Sequence, residues 1–303
     1  MSTSKTDQLS TAPVTTGSVA SADGTRIGYL RAGQGPAVVI VHGSNESARS
    51  HTQLALALAG DFTVYMPDRR GRGLSGPHQA GHCLRTEVED LQAVLAGSGA
   101  SKVFSVSIGG LIALEAARAG PAIRQLALYE PAILTAADRD RCTRWVDRFD
   151  EEMSRGRVAA ALITSMFGCD LAPPAFKIMP RRLLEVLTSA AMKKEDSQAA
   201  GDDATMRKLA PTLRYEGLLL DETAGTISRF ADVAADVLLM GGDLKRPAFL
   251  KPAFDAYART LPHNRQVTFP GLDHGASGDP GPANRGGQPA VLAPQIRSFF
   301  SQP

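Results

Sequence analysis

Cysteine is scarce in this chain: three in 303 residues, at Cys83, Cys142 and Cys169. They are odd in number and far apart, which excludes a disulfide framework and shows no metal-ligand spacing. Reduced thiols in a cytoplasmic protein are the expectation. An excess of one charge sign is missing too. Against 33 basic residues stand 31 acidic ones, a net charge of +2. That balance gives no reason to expect nucleic acid or an anionic membrane as the main partner. No apolar run approaches the ~18 residues that a membrane span needs. Residues 1–17, MSTSKTDQLSTAPVTTG, lack the apolar core of a signal peptide and are expected as a flexible, polar tail. No internal repeat is evident. What remains is ordinary for a globular chain, 43% hydrophobic and 21% charged. It is long enough for one large α/β domain with a sizeable insertion, or for two small domains.

From residue 18 the chain reads as alternating strands and helices. GSVASADGTRIGYLRAG suggests a hairpin turning at Ala22-Asp23-Gly24. AVVIVHG (37–43) and DFTVYMP (61–67) are strand-like, with HTQLALALAG at helical spacing between them. TEVEDLQAVLAGSG is an amphipathic helix ended by glycine. KVFSVS, IRQLALYEP, DVLLMGG and RQVTFPG are further strands, and AVLAPQIRSFF closes the chain as a helix. Continuous apolar strands separated by helices argue for an α/β fold with a mainly parallel sheet covered on both faces. The alternation breaks near Pro131, and residues 133–232 are helical in pattern. The expected organisation is a core of residues 18–132 and 233–303, interrupted by a helical cap of 133–232.

VFSVSIGGLIALEAA (103–117) carries the first chemical signal. Attack on a carbonyl needs an exposed nucleophile, a base beside it and donors for the oxyanion. A strand that turns sharply into a helix lifts a serine clear of the sheet and aims backbone N–H groups at the developing charge. Ser107 sits at such a turn, within Ser-x-Ser-x-Gly, where the usual pattern begins with glycine. The flanking Ser105 and Gly109 are small enough for it. The bland alternative is a serine in an ordinary strand–helix turn. His42-Gly43 ends an earlier strand, where a second oxyanion donor would sit. The backbone N–H groups of Ser44 and Ile108 are the candidates, and His42 itself reads as shaping the turn. Asp68-Arg69-Arg70-Gly71-Arg72-Gly73 reads as a structural loop near the site, since no helix-opening Gly-Lys-Ser follows it. His274, in PGLDHGA just after the last strand, is placed for a general base.

VIVHG, DRRGRGLSG, SVSIGGLIALEAA, LYEPA, VLLMGGD and PGLDHGA, in this order, resemble the α/β-hydrolase superfamily from about residue 20 to 300. The resemblance weakens in the insertion, as the variable cap of that superfamily does. It implies the α/β-hydrolase fold and Ser-His-acid chemistry, with Ser107 as nucleophile and His274 as base, and no cofactor or metal. The family's commonest place for the acid falls on Leu244, with Asp243 one residue short. A second place, directly after the sixth strand, holds Glu130. That resembles the subset, including lactone hydrolases such as the zearalenone lactonases, that uses a glutamate there. Glu130 is preferred, and Asp243 stays open. The serine argues against epoxide hydrolase and haloalkane dehalogenase chemistry, which needs a carboxylate at the elbow.

The expected activity is therefore hydrolysis of a carboxylic ester, lactone or thioester through an acyl-enzyme. An acyltransferase, lyase or cyclase on the same triad is the alternative, and a non-catalytic receptor a third reading. The expected partner is a small-molecule substrate with an apolar portion. Trp145, Phe149, Met153, Met166, Phe167, Phe176 and Met179 could line its pocket, or form the cap's own core. Arginines at 139, 141, 144, 148, 155 and 157 read as a solvated helical face, with an anion-binding role as the alternative.

Overall fold

The computed structural model describes residues 12–201, 203–244, 249–282 and 284–302. Eight strands form one sheet: β1 (Thr15–Ala20), β2 (Arg26–Ala32), β3 (Ala37–Val41), β4 (Thr63–Pro67), β5 (Lys102–Val106), β6 (Gln125–Tyr129), β7 (Asp236–Gly242) and β8 (Asn264–Phe269). Their order is β1-β2-β4-β3-β5-β6-β7-β8. β1 and β2 pair antiparallel, as do β2 and β4, and the rest of the sheet is parallel. The β1 ladder begins at Thr15, opposite Arg31. The segment expected as a tail to residue 17 therefore gives its last three residues to the sheet. β1 is a largely exposed edge strand, and main-chain pairing orders it without an apolar signal.

Helices α1 (Thr52–Leu58), α2 (Leu84–Ser98) and α3 (Ile108–Ala119) connect the early strands. Between β6 and β7 only helices occur among the described residues. They are α4 (Arg139–Thr143), α5 (Trp145–Ser154), α6 (Val158–Gly168), α7 (Pro174–Lys177), α8 (Arg181–Gln198), α9 (Met206–Leu209) and α10 (Leu213–Thr223), with short 3-10 turns. α11 (Leu250–Thr260) and α12 (Pro289–Phe300) complete the chain.

The inner strands β3 to β7 read as continuous apolar runs because both faces of the sheet are covered there. Val39, Val41, Val103, Leu126, Leu128, Val237 and Leu239 join one buried cluster with α2, α3 and α11. Their neighbours Val38, Ile40, Phe104, Ala127, Leu238 and Met240 join a second cluster with α1 and α12. The period-2 alternation of a strand divides each run between two cores. A third cluster of Trp145, Val146, Phe149, Ala161 and Leu213 lies within the α5–α6–α10 layer, with Met153 packed on it. Three of the apolar residues considered for a pocket wall are thus core of the inserted segment. Arg139, Arg141, Arg155 and Arg157 form surface ion pairs with Asp221, Asp138, Glu151 and Glu185, and Arg148 pairs with the buried Glu152.

Candidate active site

The carboxyl ends of β3, β5, β6 and the loop after β8 converge on one edge of the sheet. Ser107 lies between β5 and α3 with φ 54° and ψ −126°, a strained backbone for a residue with a side chain. Three main-chain hydrogen bonds hold it there. Its N–H donates to Tyr129 O at 3.2 Å, and its carbonyl accepts from Gly110 N and Ala132 N at 3.0 and 2.9 Å. The glycine after the elbow is required by packing. A Cβ on Gly109 would lie 2.6 Å from the His42 carbonyl oxygen and 2.7 Å from that of Val41. The first turn of α3 thereby sits directly on the end of β3. Ser105, at the position of the usual first glycine, is fully buried in β5.

The His42-Gly43 turn abuts the elbow, where a Cβ on Gly43 would lie 3.1 Å from Ser107 Cβ. His42 is buried. Its Nε2 accepts the Arg69 N–H at 3.2 Å, which leaves Nδ1 to donate to Gly43 O at 2.9 Å. Burial, with Arg72 and Arg69 nearby, pushes its pKa well below the ordinary imidazole value. His42 is thus a neutral brace of the turn. Ser44 follows Gly43, and Ile108 opens α3, so both expected oxyanion donors belong to segments touching Ser107.

His274 lies on the loop after β8. Its Nδ1 meets Glu130 Oε2 at 2.8 Å. Glu130, directly after β6, is completely buried and has φ 45°. Its N–H donates to Met240 O at 2.9 Å, and its Oε1 accepts from Gly242 N at 3.1 Å. The buried Tyr129 hydroxyl donates to Asp273 O at 2.7 Å and ties the same loop to β6. Asp243 is exposed, and its Oδ1 accepts from Gly271 N at 2.7 Å, capping the turn after β8. The structure brings Glu130, and not Asp243, onto His274.

Two groups escaped the sequence reading. Glu46, three residues past Gly43, accepts the Gly43 N–H and contacts buried His51. A charged staple also joins the inserted helices to the sheet. Arg69 bonds Glu87 of α2 at 2.8 and 2.9 Å and Glu216 of α10 at 3.1 Å, and Arg72 also bonds Glu216. Burial alone would raise the Glu87 carboxyl, but Arg69 and His82 hold it well below the carboxylate range. His78, His82 and Glu87 offer ligand atoms within 4.8 Å of one another. Both Glu87 oxygens already accept from Arg69, so the carboxylate a cation would need is spent.

Fold and site together define the class: the chain belongs to the alpha/beta hydrolase family, whose pattern it matches over residues 38–283. Among individual relatives, it is 27% identical over 247 residues to a pimeloyl-[acyl-carrier protein] methyl ester esterase of Xanthomonas campestris, covering 80% of this chain and 89% of that one. A solved alpha/beta hydrolase from Sphaerobacter thermophilus superposes with a TM-score of 0.74 at 29% identity, over 94% of this chain and all of the other. A shorter stretch of 81 residues, 27% of this chain, is 36% identical to a soluble epoxide hydrolase of Corynebacterium. Among the described residues no helix is long and apolar enough to cross a membrane.

Proposed function

We propose that this protein is a serine esterase working through an acyl-enzyme. The observation that carries the reading is the 2.8 Å bond between His274 Nδ1 and buried Glu130, at the sheet edge where Ser107 is held at positive φ. The carboxylate fixes the imidazole so that Nδ1 keeps its proton and Nε2 is free to accept one. Ser107 Oγ attacks the ester carbon and passes its proton to His274 Nε2. The carbonyl oxygen becomes an oxyanion that the N–H groups of Ser44 and Ile108 receive. When the intermediate collapses, the carbon–oxygen bond to the alcohol breaks, and the alcohol leaves with the proton from His274. Water then repeats the sequence on the acyl-enzyme. It gives a proton to His274, and that proton returns to Ser107 Oγ as the acid departs. The Glu130 carboxylate stabilises the imidazolium as it forms.

An ester is favoured over a lactone or thioester because the Xanthomonas relative is named for a methyl ester. Epoxide opening through an alkyl-enzyme calls for a carboxylate where Ser107 stands. The substrate is proposed to be a small molecule with an apolar part, acted on in the reducing cytoplasm, where the three unpaired cysteines would persist as thiols. Intact-protein mass spectrometry after fluorophosphonate treatment tests the reading. One adduct is expected on the wild type and none on Ser107→Ala. Esterase activity should fall at least ~10⁴-fold in that variant. Labelling or hydrolysis that survives Ser107→Ala would sink the proposal.

A further inference from the structure

The turn after β3 carries a carboxylate that the acyl-enzyme chemistry does not use. Glu46 Oε2 accepts the Gly43 N–H at 2.6 Å and lies 3.1 Å from His51 Nε2. His51 is fully buried, with its Nδ1 3.1 Å from the Ser277 carbonyl oxygen. Both ring nitrogens therefore face acceptors: a carbonyl and a carboxylate oxygen that already takes an amide N–H. Such a ring satisfies both only as an imidazolium. Glu46 and His51 form an ion pair with no net charge. Consistent with that pairing, burial would raise the Glu46 carboxyl, but His51 and the Gly43 N–H hold it down to about 2, and Glu46 raises the pKa of His51.

The other oxygen, Glu46 Oε1, has no hydrogen bond among the described residues, although only 25% of the side chain is exposed. It faces the loop that follows His274, 3.6 Å from where a Cβ on Gly278 would lie. The same carboxylate is close to the nucleophile. A Cβ on Gly43 would stand 3.1 Å from Glu46 Oε2 and 3.1 Å from Ser107 Cβ, so those two atoms are at most twice that distance apart. A bare carboxylate there would repel the developing oxyanion, and His51 cancels that repulsion. What stays is a lone-pair acceptor that faces the Gly278 loop, on a carboxylate whose other oxygen lies close to Ser107 Cβ.

We propose that Glu46 Oε1 accepts a hydrogen bond from a hydroxyl group that the substrate carries two or three bonds from its scissile ester. The inference rests on the reading of Ser107 as nucleophile and names a substrate class for that site: hydroxylated esters. A neutral hydroxyl suits the position better than an ammonium. Glu46 is already neutralised by His51, and Arg69 and Arg72 lie close enough behind the turn to repel a proton from His42. A site with a half-buried acceptor also discriminates, because a substrate without the hydroxyl leaves that acceptor unpaired.

The test compares kcat/KM for ethyl butanoate, ethyl 3-hydroxybutanoate, 2-hydroxyethyl butanoate and ethyl 3-aminobutanoate, in the wild type and in Glu46→Gln. The wild type is expected to prefer one of the hydroxylated esters by at least about tenfold. A preference for the second ester puts the hydroxyl on the acyl side, and for the third on the alcohol side. In Glu46→Gln that ratio should fall towards one. The ratio is its own control, since a poorly folded variant loses all esters alike and leaves the ratio unchanged. Equal rates for plain and hydroxylated esters in the wild type, a ratio that survives Glu46→Gln in protein of wild-type melting behaviour, or preference for the amino ester would each overturn the assignment. Hydrolysis that persists in Ser107→Ala would instead overturn the nucleophile on which it rests.

Discussion

Two carboxylates were in reach of His274 on paper, and their immediate neighbours separate them. Glu130 spends one oxygen on the Gly242 N–H and the other on His274 Nδ1, inside the protein. Asp243 spends an oxygen on the Gly271 N–H and sits in solvent. A buried carboxylate that fixes a tautomer is costly to neutralise, because the imidazolium formed in the reaction loses its counter-charge. Glu130→Gln is therefore expected to lower kcat by about 10²- to 10⁴-fold with little change in KM. Asp243→Asn is expected to stay within about threefold of wild type. Steady-state kinetics on a simple ester decides between them, and equal losses in the two variants would contradict this assignment. Ser107 and Glu130 were legible because each follows directly on a buried apolar strand, and His274 because it lies on the loop after the last strand, although β8 itself is half exposed. Glu46 and His51 were not. They pair across a turn that passes through Asn45 at φ 55°, and nothing in SNESARSH marks that geometry.

At the scale of elements, the inserted helices are held to the sheet by charge as well as by apolar packing. Glu216 of α10 and Glu87 of α2 sandwich Arg69, and Glu216 also meets Arg72. All four side chains are almost completely buried. Removing one acid leaves a buried guanidinium short of its partner, which costs far more than a surface pair is worth. Glu216→Gln is expected to destabilise the fold by about 3–5 kcal/mol. Glu151→Gln, at the exposed Arg155 pair of α5, should change it by less than about 1 kcal/mol. Urea denaturation followed by circular dichroism measures both, and comparable effects would refute the staple. This contact also marks where sequence reading ran out. DRRGRG was recognisable as a loop near the site. Its acidic partners lie 18 and 147 residues away on Glu87 and Glu216, so no local pattern pairs them. The inner strands β3 to β7 were legible for the opposite reason, since burial on both faces writes itself into each run. β1, exposed along most of its length, carries no such run and was read only through the hairpin turn that joins it to β2.

At the scale of the whole molecule, buried His42 and partly buried His78 set how stability follows pH. Burial pushes His42 well below its ordinary value of 6.5, and burial with His82 and Arg72 nearby brings His78 down to about 3. Below pH 6.5 the unfolded chain therefore takes up protons that the folded chain refuses at both sites. Stability falls as pH falls, with a slope that approaches two protons. His51 has the opposite sign. Its pKa is raised by Glu46, so its contribution is complete below 6.5 and is lost as pH rises through the folded value. Glu46 and Glu87, both depressed, add their losses only below the ordinary glutamate value of 4.5. The raised aspartates Asp68, Asp90 and Asp279 oppose those losses from their ordinary value of 3.8 upward. The window between pH 6.5 and about 5 thus belongs chiefly to His42 and His78, and stability should peak near its upper end. Urea midpoints taken from about pH 5 to 8 should decline on the acid side of that peak. His78→Phe keeps a ring stacked on Tyr215, 3.9 Å away in the wild type, and should remove about one proton from the acid-side slope. An acid-side slope that is flat in the wild type, or unchanged in His78→Phe, would mean that these rings are not held neutral by the fold.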